Sequence, residues 1–111
     1  MTNEEYQEFT QTTNYYPPWA MRNCLILGLV SEAGEVAGKL KKLHRGDYKA
    51  HFPDEVYFEK VVIPELGDVL WYISELCNHM DVTISDVMAM NVQKLTKRLE
   101  ADTIKGDGDD R

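Results

Sequence analysis

Two short acidic repeats, Glu32-Ala-Gly-Glu35 and Glu65-Leu-Gly-Asp68, restrict the possible folds of this chain more than any other feature. In a helix, acids three residues apart stand on one face, one turn from each other. Apolar residues run beside both pairs: Leu29, Val30, Ala33, Val36, Ala37 and Leu40 with the first, and Leu66, Val69, Leu70, Ile73 and Leu76 with the second. Such stripes must be buried against other elements, so the carboxylates border a helix seam. A single E-x-x-E is more often a solvated helix face. Two pairs on two stripes argue otherwise, and each encloses a glycine, Gly34 or Gly67, that costs about 1 kcal/mol in a helix interior. That cost implies close helix approach or room for a ligand. Carboxylates gathered together repel one another and lose hydration, which a cation offsets. An all-oxygen donor set of Glu32, Glu35, Glu65 and Asp68 suits Mg²⁺, with Mn²⁺ as a substitute, rather than zinc.

The rest of the chain reads as helices. Thr2 to Glu5 forms a capping box opening a helix to about Thr13, with Tyr6 and Phe9 inward. Pro17 and Pro18 break it, and the aromatics Tyr15, Tyr16 and Trp19 either seal the bundle end or lie over a nucleobase. A long helix follows from Met21 to about Arg45, stopped at Gly46. On it Lys39 and Lys42 follow the acids, either matching a metal-bound triphosphate or pairing locally as Glu35 with Lys39. Residues 47–58 read as a loop with a helical turn, long for a small bundle. Pro64 either opens the next helix, with Glu65 in its first turn, or kinks a longer helix begun near Asp54. That helix runs to about Met80, with Trp71 and Tyr72 just past the acids and Tyr72 and Glu75 continuing their face. Thr83 caps the last helix, Ile84 to about Leu99, with Asp86 three residues on. Val87, Met88, Val92, Leu95 and Leu99 form its packing stripe. Asn91, Lys94 and Arg98 share a face beside that stripe, and near an acidic metal site they would cradle phosphate. The end, residues 102–111, reads as a flexible acidic tail without the ligand register of a calcium loop.

A length of 111 residues with 43% hydrophobic content fits one domain, 1–111, with a modest core. The net charge of −7, with no long basic run, argues against nucleic acid as a partner. Cys24 and Cys77 sit in apolar helical patterns with no metal-ligand spacing or secretory leader, as reduced thiols of a cytoplasmic protein do. No apolar run approaches the ~20 residues that span a membrane. His44, His51 and His79 are scattered and read as structural or solvated.

The Glu32/Glu35 and Glu65/Asp68 pattern, with the flanks Glu-Val-Ala-Gly-Lys and Glu-Leu-Gly-Asp-Val-Leu-Trp-Tyr and the later Asn91-Val-Gln-Lys94-Leu-Thr-Lys97-Arg98, resembles the MazG-like nucleoside triphosphate pyrophosphohydrolases of the all-α NTP pyrophosphatase group. The resemblance spans roughly residues 4 to 111, although the segment between the two motifs is long for the family. It implies an all-α bundle of about four helices whose core is completed by self-association, as a homodimer or homotetramer. It also implies hydrolysis of a (deoxy)nucleoside triphosphate to the monophosphate and pyrophosphate. In that scheme the four acids hold metal, Glu35 is the candidate base, and Lys39, Trp71, Tyr72, Asn91, Lys94 and Arg98 bind the nucleotide. Similar tails in the family fold over nucleotide, which leaves a minor role for Lys105 and Arg111. Rival readings are a guanosine tetraphosphate or pentaphosphate hydrolase and a non-catalytic acidic helical interaction module.

Overall fold

The computed structural model describes residues 1–47 and 54–111, and among these there is no strand. The helices are α1 (Asn3–Gln11), α2 (Met21–Arg45), α3 (Asp54–Tyr57), α4 (Ile63–His79) and α5 (Ile84–Glu100). A 3₁₀ turn, Pro18–Ala20, leads into α2, and a π-helical segment, Phe58–Val62, joins α3 to α4 without a break. The expected all-α fold is therefore present. Of the loop read over residues 47–58, 48–53 lie outside the described residues, His51 among them, and the helical turn expected with it is α3, Asp54–Tyr57.

Local chemistry accounts for the boundaries. Thr2 Oγ1 accepts from Glu5 N at 3.1 Å while Glu5 Oε2 accepts from Thr2 N at 3.1 Å, closing the capping box of α1. Thr83 and Asp86 repeat the arrangement at α5, at 2.9 and 3.1 Å. Helix α2 ends where Gly46 takes φ +89°, with Gly46 N on Leu43 O at 3.0 Å and Asp47 N on Lys42 O at 3.1 Å. That pair of bonds is a Schellman closure, and its left-handed residue favours glycine. Pro64 does not open its helix from a loop. It interrupts one that begins at Asp54, and the wide turn of Phe58–Val62 just before it absorbs the missing N–H and the bulk of the ring.

Helices α2 and α4 form the main pair, α1 lies on α4, and α5 meets α1 and the end of α4. Among the described residues the buried apolar side chains are Leu25, Leu43, Tyr57, Val62 and Cys77. Leu43, Tyr57 and Val62 cluster with Val36 and Val61. Cys24 and Cys77 are free thiols.

Two packing expectations are corrected. Tyr6 is half-buried and Phe9 is 55% exposed; the buried face of α1 carries Gln7 and Thr10 instead. These bond to α4: Gln7 Nε2 donates to Asn78 Oδ1 at 2.9 Å, and Thr10 Oγ1 lies 2.7 Å from Ser74 Oγ. The stripe of α5 is also open, for Val87, Met88, Val92, Leu95 and Leu99 are all exposed, as are Val30, Leu66 and Leu70 on the central pair. Helix α5 meets α1 near its N-terminal end, where Ile84 N bonds Gln7 and Ser85 Oγ bonds Glu4, and these contacts leave its apolar stripe open. Residues 102–111, read as a flexible tail, fold back on α5, where Arg111 Nε donates to Thr103 O at 3.1 Å and Arg98 Nη2 to Asp109 O at 3.1 Å.

Candidate metal and nucleotide site

Helices α2 and α4 bring Glu32, Glu65 and Asp68 together, with a carboxylate oxygen from each lying within 4.8 Å of the others. Glu32 and Glu65 are half-buried and Asp68 is exposed. Burial first, then repulsion from Asp68, Glu65 and Glu35, holds the Glu32 carboxyl above its usual range. Glu35 is exposed one turn along α2 and lies outside this three-oxygen group. Lys39 Nζ, two turns from Glu32, sits 3.6 Å from Glu65 Oε1, so an ammonium offsets part of the local charge. The donor set is hard and anionic, which fits a Mg²⁺-type cation.

An aromatic wall stands beside the acids. Glu32, Asp68, Trp71 and Tyr72 line a cavity of about 320 Å³. Tyr16 OH and Tyr72 OH lie 2.6 Å apart, and Trp71 Nε1 donates to Thr13 Oγ1 at 2.7 Å. Trp71 and Tyr72 meet edge to face at 4.9 Å. The bond to Tyr16, then burial, then the charges of Glu32 and Asp68 push the Tyr72 phenol up to about 12. It is therefore a neutral hydroxyl at ordinary pH. Of this aromatic loop, Tyr16 is bonded to Tyr72, which lines the cavity, while Tyr15 and Trp19 are almost fully exposed.

One residue that holds this wall was not singled out from the sequence. A Cβ on Gly28 would fall 2.1 Å from Tyr72 Cε1, so Tyr72 crosses α2 only because position 28 has no side chain. At Gly34 and Gly67, where close approach was one of two explanations, nothing among the described residues lies within 4 Å of such a Cβ. They stand in open space. A glycine spaced one helical turn before Glu32 and facing an aromatic on α4 was the available signal.

Asn91, Lys94 and Arg98 are brought together with other groups. Asn91 and Lys94 line a depression with Val87 and Met90. Lys94 Nζ and Arg98 Nη2 both reach Asp109 Oδ1, at 3.3 and 3.2 Å, and their donation holds that carboxyl below its usual range. Among the described residues no hydrogen bond or ion pair joins Asn91, Lys94 or Arg98 to Glu32, Glu65 or Asp68. Arg98 is buried at 6% exposure, and among the described residues its Nε has no hydrogen-bond partner.

A family described as the MazG nucleotide pyrophosphohydrolase domain matches residues 21–101, which include both acidic repeats and α5. The Gene 37 protein of Mycobacterium phage L5 is 41% identical over 88 residues, 77% of this chain and 72% of the relative. The uncharacterized protein YvdC of Bacillus subtilis (strain 168) is 35% identical over 77 residues, 65% of this chain and 70% of the relative. No solved structure matches. With a family match across most of its length and an acid of each repeat, Glu32 and Asp68, lining one cavity, the chain belongs to the MazG nucleotide pyrophosphohydrolase family.

Proposed function

We propose that this chain hydrolyses (deoxy)nucleoside triphosphates to the nucleoside monophosphate and pyrophosphate with Mg²⁺, or Mn²⁺ in its place. The observation that carries the reading is the meeting of Glu32, Glu65 and Asp68 oxygens within 4.8 Å, beside a cavity walled by Trp71 and Tyr72. Glu32, Glu65 and Asp68 would hold the cation, and Glu35 from the next turn of α2 would join them. When bound, the cation neutralises phosphate charge and the charge of the leaving pyrophosphate. Glu35, exposed and outside the tight group, is free to accept the proton of the attacking water at a carboxylate oxygen. Lys39, whose Nζ lies 3.6 Å from Glu65 Oε1, would be a charged donor for a phosphate oxygen beside the acids. Trp71 and Tyr72 offer ring faces to a base, a contact that tolerates every base. Lys94 and Arg98, with Asn91, are cationic and polar donors for phosphate once Asp109 gives way.

A nucleotide panel assayed for pyrophosphate release, with and without Mg²⁺, tests this reading. Pyrophosphate and monophosphate should appear together, only with the metal. Release of inorganic phosphate instead, or hydrolysis confined to guanosine tetraphosphate, would overturn it, and an interaction module would show no metal-dependent nucleotide binding in calorimetry.

The same proposal includes self-association in the cytoplasm. No helix among the described residues is long and apolar enough to cross a membrane. The radius of gyration is 17.4 Å, against about 13 Å for a compact chain of this length. Leu27 and Val30 on α2 and Leu66 and Leu70 on α4 are exposed, a surface that a second copy of the chain would cover. Light scattering should find a dimer or tetramer at micromolar concentration; a stable, fully active monomer would refute the association.

A further inference from the structure

Glu75 lies two turns beyond Asp68 on α4 and is only 2% exposed. A carboxylate in such a place needs strong donors, and an apolar side chain of similar volume would fill the space at lower cost. Among the described residues none of the ion pairs includes it. Its donors are neutral. Thr10 Oγ1, 3.0 Å away, and Asn78 Nδ2 serve Oε2 within the contact of α1 with α4. Asn14 Nδ2 serves Oε1 at 2.7 Å, and it comes from the link between α1 and α2.

Asn14 passes this contact onward. Its Oδ1 accepts from Tyr16 N at 3.0 Å, so both ends of the amide are assigned by their partners. Two residues after Asn14, Tyr16 OH stands 2.6 Å from Tyr72 OH, and Tyr72 lines the cavity with Glu32 and Asp68. Pro17 and Pro18 follow at once and have no N–H with which to tie the link down. Between the backbone bonds of Asn14 N to Gln11 O and Ala20 N to Pro17 O, side-chain bonds hold the link.

We infer that Glu75 is a positioning residue, whose buried carboxylate fixes Asn14 and thereby holds Tyr16 against Tyr72 at the wall of the carboxylate cavity. Its role in turnover rests on the reading of that cavity as the nucleotide site; its hold on Tyr16 does not. Glu75→Gln sets an amide NH₂ against the NH₂ of Asn14 and breaks the link. Asn14→Ala breaks it from a half-buried position and leaves the other donors of Glu75 in place. The exchange of both partners, Glu75→Gln with Asn14→Asp, restores a donor facing an acceptor and keeps an oxygen for Tyr16 N.

The test uses the full chain, isotope-labelled for amide hydrogen exchange by NMR, with nucleotide kinetics in Mg²⁺ alongside. Exchange at the Tyr16 amide should quicken by about tenfold in each single variant, the scale of one lost charge-assisted hydrogen bond, and return in the exchanged pair. KM should rise by about tenfold and recover in the same way, with kcat changed by less than about twofold. Unchanged Tyr16 exchange in the single variants, or no recovery in a folded exchanged pair, would overturn the inference. So would altered exchange without a change in KM, or a loss confined to kcat. If the unaltered chain hydrolyses no triphosphate, the proposed function fails, and the exchange result still decides whether Glu75 holds Tyr16.

Discussion

Asp68→Asn should lower metal-dependent hydrolysis by at least about 10³-fold in kcat and leave the metal-free protein folded. The substitution keeps shape and removes one of three charges that meet within 4.8 Å. Loss of several kcal/mol of cation-mediated charge stabilisation corresponds to that factor, at about 1.4 kcal/mol per tenfold. Asp68 is exposed and belongs to no ion pair among the described residues, so the fold does not depend on its charge. It is also one of the groups that raise the Glu32 carboxyl, so its removal relieves repulsion. Pyrophosphate release and thermal melting, each with and without Mg²⁺, measure the two halves. A melting temperature that falls steeply without metal would assign Asp68 to the fold rather than to the site.

Gly28→Ala should be the most damaging small substitution for stability. The added methyl would lie 2.1 Å from Tyr72 Cε1, 2.3 Å from Cζ and 2.7 Å from the hydroxyl oxygen. The ring cannot simply swing away, because its hydroxyl is bonded to Tyr16 and its edge packs on Trp71. Either Tyr72 leaves the cavity wall or α2 and α4 separate. Overpacking of this kind costs about 1 to 3 kcal/mol, and each kcal/mol lowers the melting midpoint of a domain near this size by about 4 to 8 °C. Gly34→Ala serves as the contrast. Among the described residues nothing meets its Cβ, and it gains helix propensity of up to about 1 kcal/mol. Melting curves of the two variants should therefore move in opposite directions; a loss at position 34 equal to that at position 28 would contradict the account.

The helices were legible because their signals are local. Thr2 with Glu5, Thr83 with Asp86, and Gly46 each set a boundary through atoms within a few residues of one another, and all three appear in the structure. The meeting of Glu32 with Glu65 and Asp68 could be expected because each repeat sits beside a stripe that must pack, which leaves few ways to pair two helices. What escaped the sequence depends on partners distant in the chain. Gly28 matters only because Tyr72 crosses it, while Gly34, more conspicuous between two acids, meets nothing. Apolar periodicity placed Phe9 inward, but the inner face of α1 is polar, since Gln7 and Thr10 find hydrogen-bonding groups on α4. The stripe of α5 is regular and yet exposed, because periodicity announces that a face will be covered without saying by which chain.

The polar inner face of α1 has an effect that an oily one would lack: it makes the docking of that helix all or nothing. Greasy surfaces slide past each other at small cost, whereas Gln7 engages three separate chain segments at once. It bonds Asn78 on α4, the carbonyl of Val82 in the turn at 2.8 Å, and the amide of Ile84 at the start of α5 at 2.9 Å. A slip of one turn would strand all of these together with Glu75, at about 1 to 3 kcal/mol for each buried group left alone. Wrong alignments of α1 are thus excluded by several such penalties added together, and the same glutamine that aligns it also sets the angle at which α5 departs.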